Sequence, residues 1–105
     1  MYRISYSERV LEELVQLMQR NPDRTNVIRS AFREINRRLR IYPQFGQPIQ
    51  NLNVEPTQHW IAAYPPLIVY YVLLENDEEQ AAATGFHGEV MIVRPFKPIP
   101  RTGIV

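Results

Sequence analysis

The side chains that could do chemistry in this sequence are few, and most of them lie near its end. Arg94, Lys97 and Arg101 fall within the segment RPFKPIPR, and such cations can hold a phosphate group. The two histidines, His59 and His87, titrate near neutrality, so each suits proton transfer. The sequence therefore contains the components of a site that binds an anion and moves a proton. The alternative is structural: histidines at surface or hydrogen-bonded core positions, and an arginine that keeps a sheet edge soluble.

Other kinds of site have less support in the residues. The six tyrosines could stack on RNA bases, but their alternation within predicted strands favours packing in a core or an interface. His59 and His87 match no metal-ligand spacing, the four glycines are scattered rather than gathered in a phosphate-binding loop, and cysteine is absent. We therefore expect no metal and no cofactor, and we keep Tyr70 as a further candidate acid or base.

Length and composition predict one soluble domain that spans residues 1–105. A chain of 105 residues supports a single core, and its apolar fraction of 45% is that of a folded protein. The start, MYRISYSERV, lacks the apolar run of a signal peptide. The longest apolar segment, 60–74, is interrupted by Pro65 and Pro66 and falls short of the roughly 20 residues of a membrane span. Together with the absence of cysteine, this predicts a cytoplasmic protein without membrane contact.

Charge is distributed unevenly along the chain. The net charge is +1, but residues 24–40 hold six arginines and one glutamate. When this segment is wound as a helix, four arginines fall opposite its apolar side: Arg29, Arg33, Arg37 and Arg40. Arginine pairs bidentately with phosphate or carboxylate, so this arginine stripe predicts an anionic partner, with a solvated helix face as the alternative.

The elements that must position these residues follow from the periodicity of the apolar side chains, which is two in strands and near 3.6 in helices. The predicted order is a strand at 2–6, a helix over 10–18, a second helix that begins near Asn21-Pro22-Asp23 and ends at Tyr42-Pro43, and strands at 60–64, 67–74 and 89–96. Residues 43–58 and 76–88 are predicted to be connections. The short turn between the helices makes them an antiparallel hairpin.

This order, with these residues, resembles the RelE/ParE superfamily, the small toxins of bacterial toxin–antitoxin pairs. The resemblance rests on the opening YRISYSERVLEELVQL, on INRRLRIYPQFG with Leu39, Pro43 and Gly46 in the family's usual order, and on PPLIVYYVLLEND followed by EVMIVRPF. It covers nearly the whole chain. It implies an α+β fold in the order β-α-α-β-β-β, with an N-terminal strand and a helical hairpin packed on one face of a small twisted antiparallel sheet.

The resemblance also implies two different activities within one fold. Ribonuclease members carry basic residues on the open face of the sheet, often with a tyrosine or histidine near the chain's end, and cleave messenger RNA on the ribosome. The 2′-OH of the RNA attacks the neighbouring phosphorus, so the protein supplies a base, an acid and cations for the developing charge, without a metal. ParE-like members share the fold, lack that site and act on DNA gyrase.

Alignment with the family places the alternate side chains of the strand at 67–74. Four are expected to point toward the helices: Leu67, Val69, Tyr71 and Leu73. Four others occupy the open face, where ribonuclease members carry arginine or glutamate: Ile68, Tyr70, Val72 and Leu74. The connection 43–58 contains no lysine or arginine either, although active relatives are basic there. We therefore expect a depleted ribonuclease site.

We expect a toxin-family component of a type II toxin–antitoxin pair, neutralised by direct binding of a cognate antitoxin, and either ParE-like or inactive. The residues expected to bind the partner are Ile68, Tyr70, Val72, Arg29, Arg33, Arg37 and Arg40. One alternative is a ribosome-dependent messenger RNA endoribonuclease with an atypical site, in which Arg94, Lys97 and His59 are catalytic and Arg94, Lys97 and Arg101 bind RNA. The other is a non-toxic interaction module, whose sheet pairs with another protein or with a second copy of this chain.

Overall fold

A computed structural model describes residues 1–49 and 57–105 of the chain. In chain order the elements are β1 (Tyr2–Tyr6), α1 (Glu8–Arg20), α2 (Thr25–Ile41), β2 (Gln47–Pro48), β3 (Thr57–Tyr64), β4 (Leu67–Glu75), α3 (Glu78–Thr84), β5 (Gly88–Ile92) and β6 (Lys97–Pro98). Short 3-10 turns at Pro22–Arg24 and Pro43–Phe45 precede α2 and β2. The predicted connection 43–58 lies partly outside the described residues. The order of elements confirms the predicted α+β fold class.

The first two helices form because their apolar residues recur at helical spacing, and local side chains fix their ends. The Ser7 hydroxyl caps α1 by accepting from a backbone N–H of its first turn at 3.2 Å. Asn21 follows the last residue of α1, and its Nδ2 donates to the carbonyl of Leu17 at 2.8 Å. The turn differs slightly from the predicted one, because Pro22 begins a 3-10 turn and α2 starts only at Thr25.

The strands form one sheet in the order β1-β5-β4-β3-β2, with β6 beside β4. β1 and β5 run parallel, and the other described pairs are antiparallel. The sheet is therefore mostly antiparallel, as predicted. Parallel strands need a long connection between them. β1 and β5 have one, because the helices and the β3–β4 hairpin lie between them in the chain.

The hairpin of α1 and α2 packs on one face of this sheet and forms the core with it. The predicted parity of β4 is confirmed, since its four inward side chains are at most 1% exposed: Leu67, Val69, Tyr71 and Leu73. The helices contribute Val10, Leu14, Leu17, Ile28, Ala31, Ile35 and Leu39. Burial of one such aliphatic side chain contributes about 1.5–3 kcal/mol. A slip of one residue would expose all four side chains of β4, so this face fixes the strand register.

Gly46 lies where the chain returns from α2 to the sheet, and only glycine fits there. A Cβ on Gly46 would lie 2.5 Å from the carbonyl oxygen of Ile61 and 2.8 Å from the hydroxyl of Tyr71. That hydroxyl donates to the carbonyl of Pro43 at 2.5 Å, and burial raises the pKa of Tyr71. Pro43 and Gly46, two residues on which the family resemblance rests, thus have a structural role in closing the core.

The last predicted strand, 89–96, is interrupted in the structure. β5 ends at Ile92 and β6 begins at Lys97. Between these points the returning chain advances five residues while β4 advances three, so two extra residues form a bulge. Pro95 lies in the bulge, where it does not have to donate a ladder hydrogen bond. The bulge also carries Arg94, and its effect on that side chain is described below.

The predicted connection 76–88 contains a helix, α3, that periodicity did not indicate. Asp77 and Gln80 form a capping box at its start, and Gly85 ends it with a left-handed φ of 79°. None of the residues of α3 is buried. The sequence EEQAAAT has no apolar stripe, so capping rather than packing within the monomer defines this helix.

The segment 99–105 is held against the helical hairpin. Asn21 and Val105 exchange two hydrogen bonds of 2.9 Å, one from the side-chain amide to the Val105 carbonyl and one from the Val105 N–H to the amide oxygen. Arg24 donates to the carbonyl of Thr102 at 2.8 Å, and Ile104 is buried in the core. This segment is therefore part of the packed structure rather than a free extension.

Candidate functional site

The open face of the sheet lies opposite the helical hairpin. On β4 it is formed by Ile68, Tyr70, Val72 and Leu74. Residues directly opposite each other in paired strands share a face, so His59 and Met91 flank Val72, and Ile61 flanks Tyr70. β4 therefore presents only apolar and aromatic side chains on this face, as the alignment with the family predicted.

A small cleft on the open face brings together three residues that the sequence singled out for chemistry. His59, Tyr70 and Arg94 line it together with Ile49 and Val93, and its volume is about 80 Å³. The guanidinium carbon of Arg94 lies 5.3 Å from the centroid of the Tyr70 ring. A guanidinium at this distance is attracted to the ring face, so Tyr70 orients the arginine at the cleft.

The bulge between β5 and β6 is what brings Arg94 to this cleft. If the pairing of β5 with β4 continued without interruption, Arg94 would lie opposite Val69, whose side chain is in the core. Within the bulge the regular alternation of faces is lost, and Arg94 instead reaches the ring of Tyr70 on the open face. The position of Arg94 at the cleft thus depends on the bulge between β5 and β6.

The cleft suits a small anionic group. With a volume of about 80 Å³, the cleft admits a group of phosphate size and not a whole nucleotide. The exposed guanidinium of Arg94 offers paired N–H donors that match phosphate or carboxylate oxygens. The imidazole of His59 can accept or donate a proton beside them. The arrangement can therefore bind an anion and supports proton transfer at the bound group.

The remaining predicted catalytic and RNA-binding residues lie outside the cleft. Lys97 is exposed and pairs with Ile68, one side-chain row or about 7 Å further along β4 on the same face. Arg101 is exposed in a turn, where its φ of 69° is left-handed. His87 lies beside β1, with its ring centroid 5.8 Å from that of Tyr2. Lys97 is therefore a neighbour of the cleft, whereas Arg101 and His87 are not part of it.

The open-face residues predicted to bind a partner are only partly accessible. Val72 is 6% exposed, although it lies on the open face, because it occupies a central strand with His59 and Met91 on either side. Ile68 and Tyr70 are half-buried. A partner laid on this face would therefore contact mainly Ile68, Tyr70 and the cations beside them.

The arginine stripe of α2 is exposed, as the helical periodicity predicted: Arg29, Arg33, Arg37 and Arg40. Its members differ in their partners. Arg37 makes hydrogen bonds of 2.6 and 3.1 Å to Glu34, and Arg38 makes one of 3.0 Å to the same carboxylate. Among residues 1–49 and 57–105, no carboxylate lies within ion-pair distance of the other three arginines of the stripe.

Glu34 is the carboxylate of α2 that forms ion pairs with Arg37 and Arg38. Hydrogen bonds from Arg37 and Arg38 lower the pKa of its carboxyl from the ordinary 4.5 to about 2. The guanidinium carbon of Arg38 also lies 4.7 Å from the centroid of the Tyr64 ring. Arg37 and Arg38 are thus engaged within the molecule, while the other exposed arginines of α2 present their charge to the surroundings.

Sequence reasoning missed an exposed apolar pair at the end of α2. Ile41 and Tyr42 are 60% and 59% exposed. Together with Arg37, Arg38 and Phe45 they line a groove of about 270 Å³. A signal was present for Ile41, which falls outside the apolar stripe of α2 and so faces the solvent. Tyr42 would continue the stripe three residues after Leu39, but the helix ends at Ile41, so its exposure could not be predicted from the spacing.

In the described part of the chain, no three His, Cys, Asp or Glu side chains gather in an arrangement that could hold a metal ion. Nor does any helix in residues 1–49 or 57–105 have the length and apolar character needed to cross a membrane. No protein-family model, curated protein or solved structure matches this chain.

Proposed function

We propose that this chain is the toxin-family component of a type II toxin–antitoxin pair, that it acts in the bacterial cytoplasm, and that a cognate antitoxin neutralises it by direct binding. Support comes from the sequence resemblance to the RelE/ParE superfamily. The fold agrees with what that resemblance implies, since a helical hairpin packs on one face of a mostly antiparallel sheet. Within the superfamily, we assign the chain to the ParE-like or inactive members.

The open face of β4 carries this assignment. Cleavage of RNA develops negative charge on phosphate oxygens, and a ribonuclease stabilises it with cations arranged around the reacting group. The described residues of β3 and β4 include no lysine or arginine. Arg94 and Lys97 beside the cleft both belong to the returning chain that follows β5. Both cations therefore lie on one side of the cleft. This fits a depleted ribonuclease site, because they do not surround a bound phosphate.

The same surface suits a protein partner. Ile68 and Tyr70 offer partly exposed apolar area, and Arg94 and Lys97 lie next to them. An extended acidic segment of an antitoxin would cover the apolar side chains and pair with the cations. The arginine stripe of α2 offers further positive charge to such a segment.

Expression of the chain without a partner tests this function. We expect growth arrest with DNA damage that depends on gyrase, and relief of the arrest by a short neighbouring reading frame with a DNA-binding start and an acidic tail. An inactive member would leave growth unchanged but would still bind that product in a pull-down. Unchanged growth together with no binding would contradict the proposal and favour an interaction module of another kind.

A second function, metal-independent cleavage of messenger RNA, is favoured by one observation, the cleft that joins Arg94 to His59. In that reaction the 2′-oxygen of the RNA bonds to phosphorus while the bond from phosphorus to the 5′-oxygen breaks. His59 would take the proton of the 2′-OH, Arg94 would stabilise the developing charge, and the departing 5′-oxygen would take a proton from water. Tyr70 would hold Arg94 in position.

Cleavage of messenger RNA by the purified protein in the presence of ribosomes tests this second function. If the cleft is the site, Arg94→Ala should lower the cleavage rate by about 100-fold or more, the usual cost of removing one donor to a developing oxyanion. Arg9→Ala is the matched control, because it removes an arginine whose side chain is 80% exposed on α1, and it should leave the rate unchanged. Cleavage that survives in Arg94→Ala would exclude this cleft.

A further inference from the structure

Three features with no role in the cleft lie at the same end of the molecule. Ile41 and Tyr42 are 60% and 59% exposed at the end of α2. α3 forms although none of its seven residues is buried, and helices this short depend on packing for stability. Gln44 donates to Glu75 at 3.0 Å, which places the start of the acidic segment 75–79 beside the end of α2.

The two neighbouring regions carry opposite charge. The segment ENDEE at 75–79 holds four carboxylates, and α2 presents Arg33, at its middle, and Arg40, in its last turn, to the solvent. Among the residues that the structure describes, no carboxylate lies within ion-pair distance of those two arginines, and no cation lies within that distance of Glu78 or Glu79. Both sets of charges are therefore available to another molecule.

We propose that this chain forms a two-fold dimer through this surface. In a two-fold contact the same patch meets itself, so a basic and an acidic region must lie side by side on one surface. The regions around Arg40 and Glu78 meet this requirement, because the hydrogen bond from Gln44 to Glu75 joins the chain four residues after Arg40 to the chain three residues before Glu78. The basic region of each copy faces the acidic region of the other copy. The two-fold axis therefore produces this contact between opposite charges twice. Ile41 and Tyr42 are exposed within three residues of Gln44, so they pack against the second copy.

A second copy fits this surface better than an unrelated acidic peptide. A peptide would pair with Arg33 and Arg40 but would leave α3 and its carboxylates uncovered. The dimer pairs both sets of charges and gives α3 the packing that it lacks in the monomer. This contact also differs from a homo-oligomer formed through the sheet, and it uses no residue of the cleft. It therefore stands whether or not the proposed function is correct.

The mass of the purified protein in solution tests the dimer. Sedimentation equilibrium should give twice the chain mass of 12.4 kDa, and the dimer should weaken as salt is raised, because exposed charges are screened. Tyr42→Ala should weaken the dimer by about tenfold or more, as truncation of a central aromatic residue does at interfaces. A monomer at every concentration, or a dimer that Tyr42→Ala leaves unchanged, would overturn the proposal.

An exchange of charges provides the control for folding. A variant with Arg33→Glu and Arg40→Glu should be monomeric, and so should a variant with Glu78→Arg and Glu79→Arg. An equimolar mixture of the two should dimerise again, because both contacts then join opposite charges. Arg20→Glu changes the same charge at the turn between α1 and α2, at the opposite end of α2 from Arg40, and should remain dimeric. Two variants that both stay dimeric, or a mixture that stays monomeric, would contradict this interface.

Discussion

Glu34 limits how much of the basic surface of α2 is available to a partner. It accepts hydrogen bonds from Arg37 and Arg38, while Arg38 also stacks on Tyr64. Charged hydrogen bonds of this kind hold the carboxylate ionised and both guanidiniums in place. The number of arginines in the sequence therefore overstates the positive charge that α2 offers to another molecule.

We expect the Glu34 carboxyl to titrate at about 2 rather than at its ordinary pKa of 4.5. Because the pKa in the folded state is the lower one, the ionised carboxylate stabilises the fold above pH 4.5, and this contribution is lost as the pH falls toward about 2. Carboxyl NMR during an acid titration measures the pKa directly. Glu34→Gln should reduce the dependence of unfolding on pH in this window, whereas Glu12→Gln on α1 should not. A Glu34 carboxyl that titrates near 4.5 would contradict the geometry.

Gly46 provides a second test at the residue scale. A methyl group there would meet the Ile61 carbonyl and the Tyr71 hydroxyl, so Gly46→Ala should lower the free energy of unfolding by about 1–3 kcal/mol. Gly85→Asn is the matched control, because nothing lies within 4 Å of the added Cβ and asparagine tolerates a left-handed φ. Urea unfolding should show the larger loss for Gly46→Ala. Equal losses would mean that the turn yields to the extra methyl group.

At the scale of elements, α1 offers a direct test of which helical face packs on the sheet. Leu14 is 6% exposed and Leu11, about one turn earlier, is 41% exposed. Leu14→Ala should therefore lower the free energy of unfolding by about 2–5 kcal/mol, and Leu11→Ala should change it by about 0.5 kcal/mol or less. Urea denaturation of both variants measures the difference. Similar losses at the two positions would show that α1 is rotated about its axis.

The elements that the sequence predicted are those that a repeating pattern defines. A period of 3.6 placed α1 and α2, because burial on one face imposes that repeat. The side chains of β4 are apolar at both parities, and the family resemblance rather than a period assigned its buried side. α3 has no apolar stripe, and so no period could indicate it. The bulge after β5 could not be predicted for a different reason. The alternation of side chains shows which face each residue occupies only where the strand pairing is regular.

The candidate site was predictable in its members but not in its arrangement. His59, Tyr70 and Arg94 were candidates because of what imidazole, phenol and guanidinium groups can do. Their proximity depends on the register that sets His59 opposite Val72 and on the two extra residues that turn Arg94 to the open face. Neither the register nor the bulge is encoded in residue type. Arg101 and His87 were equally plausible from the sequence, and the fold places both outside the cleft.

At the scale of the whole molecule, two surfaces are proposed for two kinds of partner, and Arg33 and Arg40 of the arginine stripe belong to both. The open face of the sheet, with Arg94 and Tyr70, is assigned to the antitoxin or to RNA. The end of α2 and the segment 75–79 are assigned to a second copy of the chain. Because the helical hairpin covers one face of the sheet and the cleft lies on the other, variants at Tyr42 and at Arg94 should act independently.

Mapping of transcript 5′ ends after expression of this chain alone tests the central claim most directly, which is that a toxin-family fold here carries a depleted ribonuclease site. Expression is compared for the wild type, Arg94→Ala and the control Arg9→Ala. We predict that the wild type produces no new transcript ends, whether or not growth stops. New ends that appear with the wild type and with Arg9→Ala, and that disappear with Arg94→Ala, would contradict this claim and establish the cleft of His59, Tyr70 and Arg94 as an RNA-cleaving site.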